Sequence, residues 1–312
     1  MTSKKSGKMR NSILVTGGTG FVGSNLVPAL ADADYEVDVL AHSVQGEIPE
    51  DVDVHVADVT DLESLPSFGS YDTVVHLAGV VSVQGSVDNP VGTFRTNALG
   101  TQHVLEQARE DGVDRFVYLS SGAVYGTPDY LPIDESHATE CLHPYASSKL
   151  AGENLAETYA NSYDLSVVTL RGFTLYGPGQ DTDNLVPTVI EQIEAETDTV
   201  SLGNLEPTRD FTYVEDLTSA VLTVLDKSWN QYDVFNVGSG RETSVRDFVD
   251  EIIDQSDSDI TVNSDSTGRA SNIEIERMVA DVSKLRQFGW KPEYDFKRGI
   301  EATLERFEHN HD

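Results

Sequence analysis

The sequence predicts a doubly wound α/β fold, a parallel Rossmann-type sheet covered by helices on both faces and followed by a smaller C-terminal α/β lobe. Three observations carry this. Short β-branched runs alternate with helical stretches from Ser12 to about Leu170. Those runs are apolar almost throughout, as strands buried on both faces must be. A glycine run, Gly17-Gly18-Thr19-Gly20-Phe21-Val22-Gly23, lies between the first strand and the first helix, at the carboxyl edge where sheets of this kind take their ligands.

Taken in order, strand patterns fall at 13–16, 37–40, 52–57, 73–77, 115–119 and 166–170, with helices from about Phe21, over 90–111 and from Tyr145. Strands separated by helices pair in parallel, because the crossover must return the chain to the same edge. Pro28 sits inside the first helix, where it removes a backbone bond and is expected to bend it. After about Gly177 the rhythm gives way to loops rich in Gly, Pro, Asp and Asn. Beyond them 210–214 and 234–237 read as strands, and 215–227, 244–255 and 295–309 as helices opened by Ser, Thr or Asp. The expected division is a first domain over 1–177, with segments near 210–240 returning to it, and a second lobe over 178–312. No repeat or low-complexity tract interrupts either.

Composition narrows the setting. The 312 residues are 38% apolar, enough to bury a core. Against 53 acidic residues stand 21 basic ones, a formal charge of -32, and only eight of the basic residues are lysines. Such a surface repels nucleic acid and anionic membrane, so neither is an expected partner. A broad acidic excess with few lysines suits a halophilic protein from a high-salt cytoplasm, and it also suits an ordinary acidic protein. Cys141 is the only cysteine, which rules out an intrachain disulfide and a cysteine-rich metal site; no metal is expected. Neither a signal peptide nor an 18-residue apolar span is evident, and the chain reads as cytoplasmic.

Two motifs carry chemistry. The glycine loop follows a strand and opens a helix, so its backbone N–H groups can approach a pyrophosphate held at the positive helix end. Downstream stands Tyr145-Ala146-Ser147-Ser148-Lys149. On a helix Tyr145 and Lys149 share a face. A phenol with a pKa of ~10 is a poor base at neutral pH, but a neighbouring ammonium and a nicotinamide cation both favour the phenolate. The pair follows Tyr118-Leu119-Ser120-Ser121-Gly122-Ala123-Val124-Tyr125-Gly126, a strand ending in small hydroxyl residues at the ligand edge of the sheet.

The spacing of Gly17, Gly20 and Gly23, with the extra Gly18, resembles the TGGxGFxG fingerprint of the extended short-chain dehydrogenase/reductase family, which includes the nucleotide-sugar epimerases and dehydratases. The resemblance runs over roughly residues 12–300. It implies a cofactor site of Gly17, Gly20, Phe21, Val22 and Gly23 at the pyrophosphate, and Asp58 and Val59 at the adenine. Leu77, Ala78 and Gly79 of the segment His76–Gly79 would lie beneath the cofactor, with Asn97 on the next helix and Ser120, Tyr145 and Lys149 near the nicotinamide. It implies the catalytic set Ser121, Tyr145 and Lys149. One position departs: Ala41 stands where NAD-users of the family carry an acidic residue that grips the adenosine ribose. His42 and Ser43 beside it can donate hydrogen bonds to a 2′-phosphate, so the cofactor is NAD or NADP.

The same resemblance speaks to substrate. Residues Arg171 to Gly179 resemble the RxxNxYGP stretch of the family, with Thr174 in place of the Asn that binds a sugar diphosphate. Asn184, Arg209 and Arg269 lie in further family-like segments and would contact the nucleotide sugar. Gly122 and Ala123 stand where the 4,6-dehydratases place Asp-Glu, which argues against elimination. The implied activity is a nucleoside-diphosphate-sugar 4-epimerase, an isomerase that oxidises sugar C4 transiently. The alternative is an NAD(P)H-dependent reductase or dehydrogenase of a 4-keto nucleotide sugar, and a third reading is a catalytically silent NAD(P)-binding sensor or scaffold. Helices near 90–111 and 145–163 resemble the pair that makes the family's homodimer contact.

Overall fold

In the computed structural model of the chain, residues 11–44, 48–195, 198–256, 258, 260–264 and 274–309 are described. Seven strands form one wholly parallel sheet: β1 (Ser12–Thr16), β2 (Glu36–Ala41), β3 (Asp53–Val56), β4 (Thr73–His76), β5 (Arg115–Ser121), β6 (Ser166–Gly172) and, after four short strands outside this sheet, β11 (Tyr232–Val237). Their order is β11-β6-β5-β4-β1-β2-β3. The direction of strand order reverses between β1 and β4, and there the carboxyl edge opens into a crevice.

Alternation along each strand divides the core into two layers. Ile13 and Val15 of β1 join Val37, Val39, Val75 and Val117 on one face, packed by Leu26 and Leu30 of α1 (Phe21–Asp32). Leu14 joins Leu40, Val74 and Phe116 on the other, with Val104, Leu105 and Ala156 from the helices there. Because the side-chain period is two, the central strands are apolar on both faces, which is why their sequence pattern is nearly unbroken, while the edge strand β3 carries Asp53 and His55. The first helix continues through Pro28 to Asp32.

On the second face the expected helix 90–111 is three pieces in one run. It comprises α3 (Pro90–Phe94), a π-helical turn Arg95–Gly100 and α4 (Thr101–Asp111), preceded by α2 (Val83–Asp88). The next helix, α5 (Pro144–Ser162), starts from the cap His143, whose side chain accepts the Ala146 N–H.

The four short strands are β7 (Thr174–Tyr176), β8 (Thr199–Leu202), β9 (Thr208–Arg209) and β10 (Phe211–Tyr213). Here the structure differs from the expected strand 210–214. Asp210 separates two short strands, and neither returns to the main sheet: β10 pairs with β7, and β9 with β12 (Thr243–Ser244). Asp210 is the reason. Its buried carboxylate accepts Ser239 N–H (2.7 Å), Ser239 Oγ–H (2.6 Å), Gly240 N–H (3.0 Å) and Ala280 N–H (3.1 Å). Its side chain thereby ties the segment to the Ser239 and Ala280 loops, while its carbonyl accepts the Thr174 N–H of β7. A third core gathers Tyr176, Val186, Val189, Phe211 and Phe248 from β7, β10, α6 (Leu185–Glu194) and α8 (Val245–Gln255). The remaining elements are α7 (Val214–Leu225), β13 (Thr261–Ser264), α9 (Ser283–Gln287) and α10 (Phe296–His309).

Candidate active site

A cleft of about 840 Å³ runs along the carboxyl edge of β1, β2, β4, β5 and β6. At one end the glycine loop turns the chain from β1 into α1. Gly17 has φ +71°, and a Cβ there would stand 2.7 Å from the backbone nitrogen of Ala78. A Cβ on Gly23 would collide with the Gly17 carbonyl. The loop is therefore packed against its own helix and against the end of β4, as close backbone approach requires. Gly20 caps α1 without a side-chain hydrogen bond, and no acidic residue lies in the first turn. The positive end of the helix faces the cleft uncompensated.

Ser121 ends β5, and its Oγ accepts the Ala123 N–H at 3.2 Å as the chain turns through Gly122–Tyr125. Tyr145 is the second residue of α5, and Lys149 follows one turn later with both side chains buried. The Lys149 Nζ donates to the Leu119 carbonyl at 2.8 Å. Burial lowers the Lys149 pKa to about 8, with the Glu153 carboxylate pulling the other way. The Tyr145 phenol is raised above its ordinary value by burial, while a hydrogen bond with Ser121 works against the rise. In the chain alone burial wins, so the phenol is held as a proton donor. Ser120 Oγ is buried with no hydrogen-bond partner among the described residues.

Beneath these groups lies a buried polar chain. Thr16 Oγ1 is 2.6 Å from His76 Nδ1, His76 Nε2 is 3.0 Å from Thr101 Oγ1, and Thr101 donates to the Asn97 carbonyl at 2.6 Å. The Thr101 proton is thus committed, so Nε2 must be the His76 donor and Nδ1 the acceptor from Thr16. His76 is neutral accordingly, its pKa lowered to about 3 by burial and by the Lys149 charge.

Every expected cofactor residue lines the cleft except Asn97. That side chain is buried behind the wall: it accepts Val80 N–H (2.7 Å) and donates to Val80 O and Ser148 Oγ (2.9 Å each). At the far end Ala41, His42 and Ser43 line the cleft beside Asp58 and Arg95. Asp58 is held below the usual carboxylate range by the Thr60 N–H, with the charges of His42 and Arg95 contributing.

Of the expected substrate residues, Asn184 lines the cleft and Thr174 and Arg209 do not. Phe173 and Leu175 face it, so alternation turns Thr174 away. Arg209 lies in β9 and its Nη1 donates to the Thr208 carbonyl. Arg269 falls outside the described residues. Sequence reasoning missed Gln180, which lines the cleft with its Oε1 buried and unpartnered among the described residues. No sequence signal marked it. Gly122 is buried, and a Cβ there would stand 3.2 Å from the Phe173 ring, so a larger side chain would have to displace that ring.

The sequence pattern of the NAD dependent epimerase/dehydratase family matches residues 13–238. The chain belongs to that family. It is therefore an enzyme of an NAD-dependent, Rossmann-fold group. Among its relatives, a Methanocaldococcus jannaschii protein provisionally named a UDP-glucose 4-epimerase is 34% identical over 96% of this chain and 99% of its own. The UDP-glucose 4-epimerase of Thermotoga maritima, solved with UDP-glucose, superposes with a TM-score of 0.89 at 28% identity, covering 96% of this epimerase/dehydratase family member and 100% of the other chain. The Thermus thermophilus UDP-glucose 4-epimerase, solved with NAD, gives 0.85 at 31% identity, covering 95% and 99%. Among the described residues of this family member, no helix is long and apolar enough to cross a membrane, and no cluster of three or more His, Cys, Asp or Glu could hold a metal.

Proposed function

We propose that the protein is a nucleoside-diphosphate-sugar 4-epimerase. The observation that carries this is the meeting of Ser121, Tyr145 and Lys149 in the cleft that the glycine loop enters, with Gly122 and Ala123 offering no acid or base for elimination. Two features of the chain fit a nicotinamide dinucleotide. The Gly17–Gly23 turn lies so close to its surroundings that a Cβ on Gly17, Gly18 or Gly23 would collide with neighbouring protein atoms, leaving backbone at the cleft, and Ser120 Oγ is a buried hydroxyl without a partner among the described residues. Gly17, Gly20, Phe21, Val22 and Gly23 would hold its pyrophosphate. Asp58 and Val59 would meet the adenine, His42 and Ser43 the adenosine ribose, Leu77, Ala78 and Gly79 the underside, and Ser120, Tyr145 and Lys149 the nicotinamide end. NAD suits a cofactor that is recycled within each turnover, and Ala41 leaves room for NADP.

The chemistry that a bound nicotinamide would supply is reversible hydride exchange with sugar C4. The chain supplies the rest. Ser121 orients the 4-oxygen by hydrogen bonding, and Tyr145 removes its proton and gives it back. Lys149 lies one helical turn away as a cation that stabilises the phenolate. Asn184 and Gln180 would meet the nucleotide sugar, and residues 1–177, joined by β11, would form the cofactor lobe with the remainder of 178–312 as the substrate lobe.

Incubation with UDP-glucose and no added cofactor tests the proposal. UDP-galactose should form. Stoichiometric NADPH consumption with a 4-keto sugar, and no epimerisation, would transfer the assignment to a reductase, which Ala41 at the end of β2 favours. We further propose a cytoplasmic homodimer, paired through the α3–α4 and α5 faces, where Val91, Phe94 and Leu99 are exposed. Light scattering should then give twice the chain mass.

A further inference from the structure

Tyr145 is gripped by its own peptide groups as well as by its ring. Its N–H donates to Ser86 Oγ at 3.0 Å, and Ser86, on α2, gives its proton to the Val83 carbonyl at 2.6 Å. Its carbonyl accepts from Ser148 Oγ at 2.7 Å. Ser148 in turn accepts from Asn97 Nδ2, and the Asn97 amide closes both the N–H and the carbonyl of Val80. Ser86 and Ser148 are fully buried and Asn97 is 1% exposed. None of the three lines the cleft. The π-helical turn is what makes this possible, because it lies against α5 and carries Asn97 to Val80, four residues beyond the end of β4.

We propose that Ser86 and Ser148 are positioning residues that fix Tyr145 from both ends of its backbone, and that Asn97 ties this grip to Val80 on the wall of the cleft. The inference rests on the reading of Tyr145 as the proton-transfer group. An ordinary helix would leave the second residue's N–H to water, since the first N–H groups have no intrahelical partner. Here that N–H is buried, and its acceptor among the described residues comes from a different helix. The ring of Tyr145 faces Ser121 and His143, and Lys149 lies one turn along the same helix. A small tilt of α5 would carry the phenol away from Ser121 on β5, while Lys149 moves with it, and misplacement by about 1 Å is enough to slow a reaction a hundredfold.

The test uses the full-length protein and the variants Ser86→Ala, Ser86→Thr, Ser148→Ala and Ser148→Thr. With UDP-glucose as substrate, each alanine variant should lose roughly ten- to a hundredfold in kcat while KM and the NAD dissociation constant hold, and each threonine variant should recover most of the loss. A second readout needs no turnover. The Tyr145 phenolate band, isolated as the ultraviolet difference from the same protein carrying Tyr145→Phe, should titrate at lower pH in the alanine variants, because a loosened ring gains water. Unchanged kcat and an unchanged phenolate midpoint would overturn the proposal. So would a joint fall of kcat, substrate binding and melting temperature that threonine does not rescue, for that is a folding defect. Should Tyr145→Phe itself stay active, the proton-transfer reading fails, and the phenolate midpoint still decides whether the two serines hold Tyr145.

Discussion

At Tyr145 and Lys149 burial works against charge, and for Lys149 that carries a cost in stability at neutral pH. Removing the Tyr145 hydroxyl as Tyr145→Phe should lower kcat by about 10²–10⁴-fold, the usual contribution of a positioned proton carrier, and leave NAD binding intact by fluorescence titration. Lys149 allows a thermodynamic prediction. Its pKa falls from 10.5 in the free side chain to about 8 in the fold. Between those values the unfolded chain binds more protons than the folded one, so the group's cost is full below pH 8 and fades as pH rises through the window. Lys149→Met should therefore be inactive yet more stable than the parent at pH 7, by up to about 3 kcal/mol from the shift. Urea midpoints compared at pH 7 and 9.5 should show that advantage shrinking at the higher pH. Tyr145, Lys149 and Ser121 were legible because helical spacing and a strand end are local properties. Asn97, Thr174 and Arg209 were placed on the right segments, but side-chain direction depends on tertiary packing. It turns Asn97 behind the cleft wall, Thr174 away by alternation and Arg209 onto the Thr208 carbonyl.

Elements that repeat a simple period were readable, and those shaped by one buried group were not. Most of the strands from β1 to β6 announced themselves as largely apolar runs, whereas β3 alternates Asp53 and His55 with valines. The run 90–111 kept a helical pattern, so nothing in it marked the π-turn that delivers Asn97 to Val80. Likewise 210–214 has the composition of a strand, but its first residue is the carboxylate on which three backbone N–H groups and a hydroxyl converge. Burial raises the Asp210 pKa, and the hydrogen bonds it accepts oppose that rise. Asp210→Ala would strand those three N–H groups, each costing about 1–3 kcal/mol when left unsatisfied. We expect a loss of at least about 3 kcal/mol by urea unfolding, with Asp210→Asn less damaging because one oxygen remains to accept. A loss under 1 kcal/mol would mean the loops at Ser239 and Ala280 find other acceptors.

For the whole molecule the decisive quantity is the charge of -32. With 53 carboxylates against 21 cationic side chains, even complete pairing would leave 32 acidic groups repelling one another. The buried Arg171–Glu153 pair, at 2.6 Å, is shielded from solvent ions, whereas Arg246–Glu206 and Arg277–Glu242 lie at the surface. Added salt weakens surface pairs, but each contributes only about 0–1 kcal/mol. Repulsion acts over the entire surface, and its reach shrinks from about 30 Å at 0.01 M salt to about 3 Å at 1 M. Relief of repulsion should therefore outweigh the lost pairs. The thermal midpoint should climb as KCl goes from millimolar to molar, and the apparent affinity for the anionic dinucleotide should climb with it. Salt also strengthens apolar burial, so the comparison needs sucrose, an excluded solute without charge, as its control. A midpoint that rises with KCl and much less with sucrose assigns the effect to charge and supports adaptation to a salty interior. A flat or falling midpoint in KCl would make the acidic surface an ordinary one.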